Sequence, residues 1–484
     1  MQISRLAQHI LTFCLTIVIA TSFWSCSTKE ENPVLAQFDG GDIRTDEYVD
    51  YFLASTKYKP DVLPTKENLQ EVVLKLGLEK MALLEGIEQG IEQDSMYVES
   101  YRNNLRKTLF FKYMRLEIID RVITDSLVRT YYDQFSPQYH MKYIMRPVLQ
   151  SSSDAFAQSQ RDSIYYVYRQ LEAGADFEEM AKQFSQDITS NYKGGSLGFV
   201  VRESVGDAAL RAAMDTLDAF HYSQPIRGYE GYYILFKGET REVQVPPYEE
   251  AYSKIWQSLY RTRRHEIEAV LQQRFAQLAE RYNFQWKTDA KPQLIIKAGG
   301  TVGNAPTAPL NFDLLTSEDM ATVLATYDDG VVRAYELFEE KNRAPGNLLE
   351  FDERLELIAQ RHLLSQHAKE LQYDELPEIQ TKMRDVRESL IRSILHRREV
   401  IDKAEQLMDF VETEEQQAGV AEDEKPQFRR VSTQRRIRED FEQQLQTTYN
   451  FKFVSRHFNH ALALAEQKKR ESLNEDKQTS NVSE

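Results

Sequence analysis

The sequence predicts an α+β protein that is mostly helical, built from a duplicated pattern and interrupted by one insert of different character. Its 484 residues exceed what one hydrophobic core normally supports, so roughly two to four domains are expected. A segment near the N-terminus recurs in the second half of the chain. Between residues 140 and 240, long helical patterns give way to a glycine-punctuated series. With 41% hydrophobic and 28% charged residues, the composition is that of a globular protein.

The duplication is clearest in two short segments that share Leu, Ala, Asp, Gly, Arg and Glu in the same order. Leu35–Tyr48 aligns in this way with Leu324–Leu337. Each segment is typical of two short strands around a glycine turn, followed by the start of a helix. Long helical patterns follow both copies, at Lys66–Gln93 and Tyr97–Ile123 in the first, and at Leu348–Gln372 and Glu378–Glu412 in the second.

Each copy also has a similar aromatic segment at its end. Tyr282–Trp286 follows a helix that starts near Tyr248, and Tyr449–Phe453 follows one that starts near Ser432. We interpret each segment as a strand that returns to pair with the hairpin of its own copy. Where the first copy contains the insert, the second has an acidic stretch, Glu412–Lys425. The alternative to a duplication is chance similarity between amphipathic helices.

The N-terminus has the pattern of a secretion signal. Arg5 precedes an apolar run at residues 10–19, which suits a signal peptide better than a membrane-spanning helix. Residues 1–25 are therefore predicted to be a signal peptide, followed by Cys26 at a position that resembles the lipidation site of bacterial lipoproteins. Such sites usually have Leu where this chain has Phe23. The alternative is an ordinary signal peptide beside an unrelated cysteine.

Charge and cysteine content exclude several classes of function. The formal net charge is −16, and loss of the signal peptide removes only one charged side chain, Arg5. Nucleic acid is therefore disfavoured as a partner. Cys14 would leave with the signal peptide, so Cys26 alone can form neither a disulfide framework nor a cysteine metal site. No cofactor and no metal are predicted. His362 and His367 are off the i,i+4 spacing of helical zinc pairs, and we expect them at the surface or an interface.

The insert carries its most specific pattern as a series of apolar, glycine and acidic positions. In order they are Asp176–Phe177, Met180–Ala181, Phe184–Asp187, Gly194–Gly198, Leu217, Ser223–Pro225 and Gly231–Leu235. This series resembles parvulin-type peptidyl-prolyl isomerases, and together with the flanking helices it resembles the SurA and PrsA families of exported foldases. The resemblance covers nearly all of residues 33–286 and, more weakly, 323–465. It implies a small antiparallel sheet flanked by helices, inserted into a mostly helical chaperone module.

The resemblance also assigns a candidate active site. Parvulins usually have a histidine on the first strand and another on the last, where this chain has Tyr143 and Tyr233. Asp187 matches the position where the family places an Asp or Cys facing the substrate amide, although it also fits a turn residue. Two tyrosines fill the volume of the histidines and keep hydroxyl hydrogen bonds, so we expect the fold to survive. The residues matching the family's proline seat are Val205, Leu210 and Met214.

The glycine turn of this pattern also matches the Gly-x-Ser-x-Gly motif of serine hydrolases, at Gly194–Gly198. That motif marks a nucleophile only on a sharp strand-to-helix turn, and no apolar strand leads into residues 191–193. We therefore do not expect Ser196 to act as a nucleophile.

These observations divide the chain into eight segments. They are a signal peptide (1–25), a lipidated tether (26–33), a helical chaperone segment (34–139), the parvulin-like domain (140–240), a closing helix and strand of the first module (241–287), a linker (288–320), a second module without an insert (321–466) and a disordered tail (467–484).

The function predicted from the sequence is that of a lipid-anchored foldase of the bacterial cell envelope. We expect it on the outer membrane facing the periplasm, and the acidic run after Lys29 leaves surface exposure as an alternative. Its partners would be unfolded or extended polypeptides, outer-membrane proteins in particular, bound by exposed apolar patches. The tyrosines would weaken the isomerase activity that the resemblance implies. The alternative is a non-catalytic lipoprotein that uses the parvulin fold only for binding.

Overall fold

The structure is a computed structural model that describes residues 32–149, 152–300, 307–338, 345–407 and 425–481. These residues divide into two compact units. The first contains the described residues up to Arg102 and from Lys382 onward, and the second runs from Asn103 to Thr381. The predicted signal peptide, Cys26 and nearly all of the acidic stretch lie outside the described residues. The predicted fold class, a mostly helical α+β fold, is confirmed.

The strands are short except for two long ones in the insert. They are β1 (Val34–Phe38), β2 (Gly41–Arg44), β3 (Gln138–Pro147), β4 (Ser196–Val200), β5 (His221–Tyr222), β6 (Ile226–Arg227), β7 (Gly231–Arg241), β8 (Gln285–Trp286), β9 (Val323–Tyr327), β10 (Gly330–Arg333) and β11 (Lys452–Phe453).

The longer helices account for more than half of the described residues. They are α1 (Thr45–Ser55), α2 (Lys66–Glu88), α3 (Ser95–Tyr113), α4 (Asp125–Asp133), α5 (Asp154–Glu172), α6 (Phe177–Phe184), α7 (Ala208–Thr216), α8 (Tyr248–Thr262), α9 (Arg264–Arg281), α10 (Ala290–Lys297), α11 (Leu348–Glu370), α12 (Pro377–His396), α13 (Lys425–Thr448) and α14 (Phe458–Asn481). Within the described ranges, none of the helices is both long and apolar enough to cross a membrane.

Short helical segments connect these elements. They are Ile91–Gln93, Met114–Ile119, Asp120–Val122, Asn191–Lys193, Arg202–Ser204, Phe312–Leu314, Ser317–Met320, Ala334–Phe338, Tyr373–Glu375, Arg397–Asp402, Lys403–Leu407 and Ser455–His457.

Each unit contains a three-stranded antiparallel sheet built on one of the repeated hairpins. The hairpins are β1–β2 and β9–β10. The first long helix after each hairpin, α2 in the first copy and α11 in the second, is 23 residues long in both. The next helix runs into a π-helical turn in both copies, at Met114–Ile119 and Arg397–Asp402. The structure therefore contains the duplication that the sequence predicts.

The third strand of each sheet comes from the other copy, so the predicted pairing of each closing strand with its own hairpin is wrong. β8 pairs with β9 of the second copy, and β11 pairs with β1 of the first. The two junctions are alike, because Asn283 donates to Asp328 at 2.9 Å and Asn450 donates to Asp39 at 2.5 Å. Both asparagines adopt a positive φ, of 51° and 50°. Since both closing segments present the same groups, their local sequence does not specify which hairpin each one joins.

The C-terminal helix α14 belongs to the core of the first unit, so the predicted disorder of residues 467–484 is wrong for the part that the structure describes. Phe458 and Ala461 are buried in the same cluster as residues of β1 and α1. Lys469 is 3% exposed, and its Nζ donates to the carbonyl oxygens of Thr56 at 2.6 Å and Lys59 at 3.0 Å. Burial of a lysine stem within a polar stretch cannot be read from composition.

Part of the predicted linker at 288–320 is also structured. α10 buries Leu294 in the core of the second unit, together with Phe312. The residues that indicated a linker have another role here. Pro292 lies in the first turn of the helix, where proline is tolerated, and Gly299 follows the helix end with a φ of +82°.

The insert forms a five-stranded antiparallel sheet with helices on both faces. The strand order is β4–β3–β7–β5, and β6 also pairs with β7. Helices α5 and α6 cover one face, where Ile144, Phe177 and Ile234 are buried. Helix α7 covers the other. Because side chains alternate along a strand, β3 and β7 present Tyr143 and Tyr233 to the α7 face.

His362 is 1% exposed, so of the two positions predicted for it, the surface and an interface, the surface is excluded. Its Nε2 lies 2.6 Å from Glu336 Oε2, and its Nδ1 lies 3.0 Å from the Tyr327 hydroxyl. Arg106 donates to the same Glu336 oxygen at 3.2 Å. Burial lowers the pKa of His362, although Glu336 raises it, and the cations of Arg106 and Arg361 add to the lowering. Burial opposes ionisation of Glu336, but the hydrogen bond to His362 contributes most to keeping its pKa below the ordinary value.

We expect the second unit to lose stability as the pH falls below about 6.5, the ordinary pKa of histidine in an unfolded chain. In that range the unfolded state binds a proton that folded His362, with its lowered pKa, does not yet bind. Urea unfolding at about pH 8 and pH 5.5, followed by fluorescence of Trp256 and Trp286, should show the loss. His362→Gln should reduce the difference between the two pH values, whereas His460→Gln, on an exposed helix surface, is the control. An unchanged difference in His362→Gln would contradict the assignment.

Candidate active site

An apolar cleft of about 950 Å³ opens on the α7 face of the insert. Val205, Leu210 and Met214, the residues predicted to seat proline, all line it. Leu210 and Met214 are buried residues of α7, and Val205 lies on the turn before that helix. The structure thus brings the predicted seat together in one place. Further apolar side chains that the sequence pattern did not single out complete the lining: Met141, Leu197, Val200 and Leu235.

The two predicted tyrosines meet in this cleft. Tyr143 and Tyr233 both line it, and their rings pack edge to face with centroids 5.7 Å apart and an interplanar angle of 87°. Burial raises the pKa of both phenols, and the hydrogen bond to Asp187 raises that of Tyr143 further. Both phenols are therefore neutral near pH 7, and each keeps a hydroxyl proton to donate.

Tyr143 is held in place by the glycine turn of the sequence pattern. Its backbone N–H donates to the carbonyl oxygen of Gly195 at 2.9 Å. Gly195 has a φ of +78°, and a Cβ there would lie 2.2 Å from the carbonyl oxygen of Tyr143. The motif therefore requires glycine for both its conformation and its close approach to β3.

Replacing Gly195 by alanine should destabilise the insert by roughly 2–4 kcal/mol, because the clash is with backbone and the φ is unfavourable. Gly198→Ala is a matched control, since Gly198 also has a positive φ, of +74°, but nothing lies within 4 Å of a Cβ there. That control should cost only about 1–2 kcal/mol. Hydrogen exchange of β3 and β7 amides measures both effects, and equal losses would contradict the proposed role of the close approach.

Asp187 lies against Tyr143, and it is not among the residues that line the cleft. Its Oδ2 accepts a hydrogen bond from the Tyr143 hydroxyl at 2.8 Å. The same carboxylate accepts bonds from the backbone N–H of Thr189 at 3.1 Å, from the Thr189 hydroxyl and from the Ser190 hydroxyl. Burial opposes ionisation, but these hydrogen bonds outweigh it and hold the pKa of Asp187 below its usual value. Asp187 is therefore an ionised turn residue that contacts Tyr143, a lining residue of the cleft.

One wall of the cleft comes from residues that the sequence pattern did not indicate. The junction of α8 and α9 contributes Arg261, Thr262, Arg264 and His265, beyond the last strand of the insert. His265 lies 3.7 Å from Glu230. No motif marks this wall, because its residues belong to an amphipathic helical stretch and come close to the seat only in the folded protein.

Ser196 lies at the start of β4, not on a strand-to-helix turn. Its Oγ is 3.1 Å from His140 Nε2 and also accepts a hydrogen bond from the Gly198 N–H at 3.2 Å. The serine is thus part of the glycine turn of the β3–β4 pair, which agrees with the expectation that it is not a nucleophile.

Comparison with known families identifies the insert. The Rotamase family, described as a PPIC-type PPIASE domain, matches residues 143–237. These residues form a PPIC-type peptidyl-prolyl isomerase domain. The match begins at Tyr143 and ends at the strand β7, so the sheet and the cleft belong to this domain, whereas the wall from the α8–α9 junction does not.

Longer comparisons include sequence on both sides of the isomerase domain. Foldase protein PrsA 2 of Bacillus cereus is 28% identical over 204 residues, which cover 42% of this chain and 61% of the relative. Chaperone SurA of Chromohalobacter salexigens is 27% identical over 160 residues, covering 32% of this chain and 36% of the relative. The predicted SurA/PrsA-like character of the chain is confirmed. The matches span less than two thirds of either relative.

A crystal structure of the peptidylprolyl isomerase PrsA from Bacillus anthracis is also similar. It is 18% identical, and the match covers 48% of this chain and 89% of that one with a TM-score of 0.26.

Proposed function

We propose that this protein is an exported foldase that binds unfolded polypeptides and catalyses cis–trans isomerisation of their X-Pro bonds. In this proposal a tyrosine pair acts where parvulins usually have histidines. The observation that carries it is Tyr143, which lines the same cleft as the proline seat and whose hydroxyl donates to Asp187 at 2.8 Å. An apolar seat and a polarised oxygen are what rotation about a prolyl amide requires.

The chemistry of this rotation explains why a tyrosine oxygen can act as the catalytic group. Resonance gives the C–N bond partial double-bond character and places negative charge on the carbonyl oxygen, with a barrier of about 18–20 kcal/mol. Twisting the amide removes that resonance, so its carbonyl oxygen carries less charge in the transition state. An electron-rich group near that oxygen therefore destabilises the planar amide more than the twisted one. The Tyr143 oxygen, whose hydroxyl donates a hydrogen bond to the Asp187 carboxylate, would supply this group without any proton transfer to the substrate.

Peptide binding is supported by apolar surface beside the site. Ile188 and Tyr192 flank the turn that holds Asp187, and they are exposed by 82% and 64%. Exposed apolar side chains and a concave apolar cleft are both typical of proteins that bind extended chains. The relatives named above are a foldase and a chaperone, which supports the same class of client.

We also propose that the protein is a lipoprotein of the cell envelope, anchored through Cys26 to the outer membrane, and that outer-membrane proteins are among its clients. The support is the N-terminal sequence pattern alone. Mass spectrometry of the mature protein tests the anchor. A diacylated N-terminal Cys26 is expected, and a mature chain that begins elsewhere would overturn the assignment.

A second candidate is a peptide-binding protein without isomerase activity. It is favoured by the burial of Tyr233, which is 5% exposed, and by its edge-to-face packing on Tyr143, because purely structural side chains would pack in the same way.

One measurement on the soluble form, which starts at Ser27, distinguishes the two candidates. NMR exchange spectroscopy of short Ala-Pro and aromatic-Pro peptides should show accelerated cis–trans exchange if the first proposal is correct. Chemical-shift changes without acceleration, together with suppressed aggregation of an unfolded outer-membrane protein, would establish the second instead. If the peptides show neither binding nor accelerated exchange, both candidates are refuted.

A further inference from the structure

The turn that carries Val205 is tied to helices outside the isomerase domain. Glu203, on that turn, and Arg263, at the α8–α9 junction, form an ion pair in which both side chains are less than 5% exposed. Arg263 also donates to Glu266 at 3.2 Å. Breaking such a pair would leave an uncompensated buried charge, so the turn and the junction are expected to move together.

A second connection joins the same two parts. Arg211, on α7, donates to Glu266 at 2.9 Å. Its other guanidinium nitrogen donates to the carbonyl oxygens of Val205 at 2.7 Å and Gly206 at 2.9 Å. Arg211 therefore spans from Glu266 on α9 to the backbone of the proline seat. The charge of Glu266 is shared between Arg211 and Arg263, so this one carboxylate serves both connections.

The backbones also approach closely at this point. A Cβ at Gly206 would lie 2.3 Å from the carbonyl oxygen of Thr262, the last residue of α8. Since Thr262 itself lines the cleft, the junction is both the wall of the cleft and the support of its seat.

From these contacts we infer that Arg263 and Glu266 are positioning residues for the proline seat, so that the isomerase site is complete only with the α8–α9 junction. The inference rests on the proposed isomerase function. The junction lies outside residues 143–237, which the family match covers, so the family pattern does not include it. At its other end α9 leads into β8, which pairs with β9, so the seat is linked through one helix to the small sheet of the second unit.

The test compares Glu266→Gln, on α9, with a matched control on α11 whose carboxylate contacts the far end of α9. Glu266 is 32% exposed, and the glutamine keeps its shape while removing its charge. The control is Glu370→Gln, which removes a carboxylate of 35% side-chain exposure that pairs with Arg281 at the far end of α9. Both are made in the soluble full chain, and exchange of an Ala-Pro peptide is measured over a range of peptide concentrations.

We expect Glu266→Gln to raise the KM about fivefold with little change in kcat, because a displaced seat weakens binding of the ring in both planar and twisted states. The control should match the unsubstituted protein. Gly206→Ala places a methyl group against the carbonyl oxygen of Thr262 and so displaces the seat from the junction. This variant should also raise KM. A purely structural role would lower the melting temperature without this split between KM and kcat.

The outcomes separate the inference from the function on which it rests. If the unsubstituted protein neither binds nor accelerates exchange of the peptide, the proposed function fails, and the positioning role fails with it. If the unsubstituted protein is active and both Glu266→Gln and Gly206→Ala keep its KM, the positioning role is refuted while the isomerase function stands.

Discussion

Removal of residues 425–484 is expected to unfold the N-terminal hairpin and helices α1 and α2, although these lie at the opposite end of the chain. The deleted segment contains β11, which pairs with β1, and buried side chains of the same core. Burial of each large apolar side chain contributes about 1.5–3 kcal/mol, so losing several exceeds much of the roughly 5–15 kcal/mol that stabilises a typical domain. The buried residues lost are Leu445, Tyr449, Phe458, Ala461 and Ala465.

Hydrogen exchange with mass spectrometry measures this effect by segment. Amides of residues 34–88 should lose protection in the truncated protein, whereas those of β3 and β7 in the isomerase domain should keep it. Phe458→Ala offers a milder version and should destabilise the first unit by about 3–5 kcal/mol. Full protection of residues 34–88 after truncation would mean that β8 has replaced β11 in the sheet, and it would contradict the exchange of strands between copies.

Tyr143→Phe is expected to lower kcat for prolyl exchange at least tenfold and to lower KM as well, because the bound planar amide is no longer destabilised. The substitution removes the oxygen that destabilises the planar amide and leaves the ring, which packs on Tyr233. Asp187 keeps its hydrogen bonds from Thr189 and Ser190, so the turn should remain folded.

A tyrosine on the opposite face of the same sheet provides the control for this variant. Tyr222 donates to Glu172 at 3.4 Å and packs against the cluster beneath α5 and α6. Tyr222→Phe removes a comparable hydroxyl–carboxylate contact without touching the cleft, so its exchange rate should match that of the unsubstituted protein. Equal rates for Tyr143→Phe and Tyr222→Phe would show that the Tyr143 oxygen has no part in rotation.

The spaced pattern of the insert allowed much of the candidate site to be predicted. Three of its glycines, Gly194, Gly195 and Gly231, are required by close contacts that a Cβ would disrupt, as at the approach of Gly195 to Tyr143. The structure therefore places Tyr143, Tyr233 and the three seat residues in one cleft. Whether Asp187 faces the substrate or forms a turn was open in the sequence. It forms the turn and contacts Tyr143, because one carboxylate can accept several hydrogen bonds at once.

Features that depend on contacts between distant segments could not be predicted. The strands β8 and β11 carry nearly the same groups, so their exchange between hairpins is decided by the rest of the fold. The α8–α9 junction approaches the seat through charged residues that look like an ordinary helix surface. Lys469 is buried because it donates to backbone carbonyl oxygens, and His362 is buried because it contacts the Glu336 carboxylate. Amino-acid composition does not reveal such partners.

The central claim, that Asp187 acts on the prolyl amide through the Tyr143 hydroxyl, is tested most directly by a double-mutant cycle on the rate of Ala-Pro exchange. Tyr143→Phe, Asp187→Ala and the double variant are compared with the unsubstituted protein. If the hydroxyl relays the charge, each single substitution lowers the rate, and the double variant is no slower than Tyr143→Phe alone. If the two losses multiply in the double variant, the residues act independently, and the account of this active site is wrong.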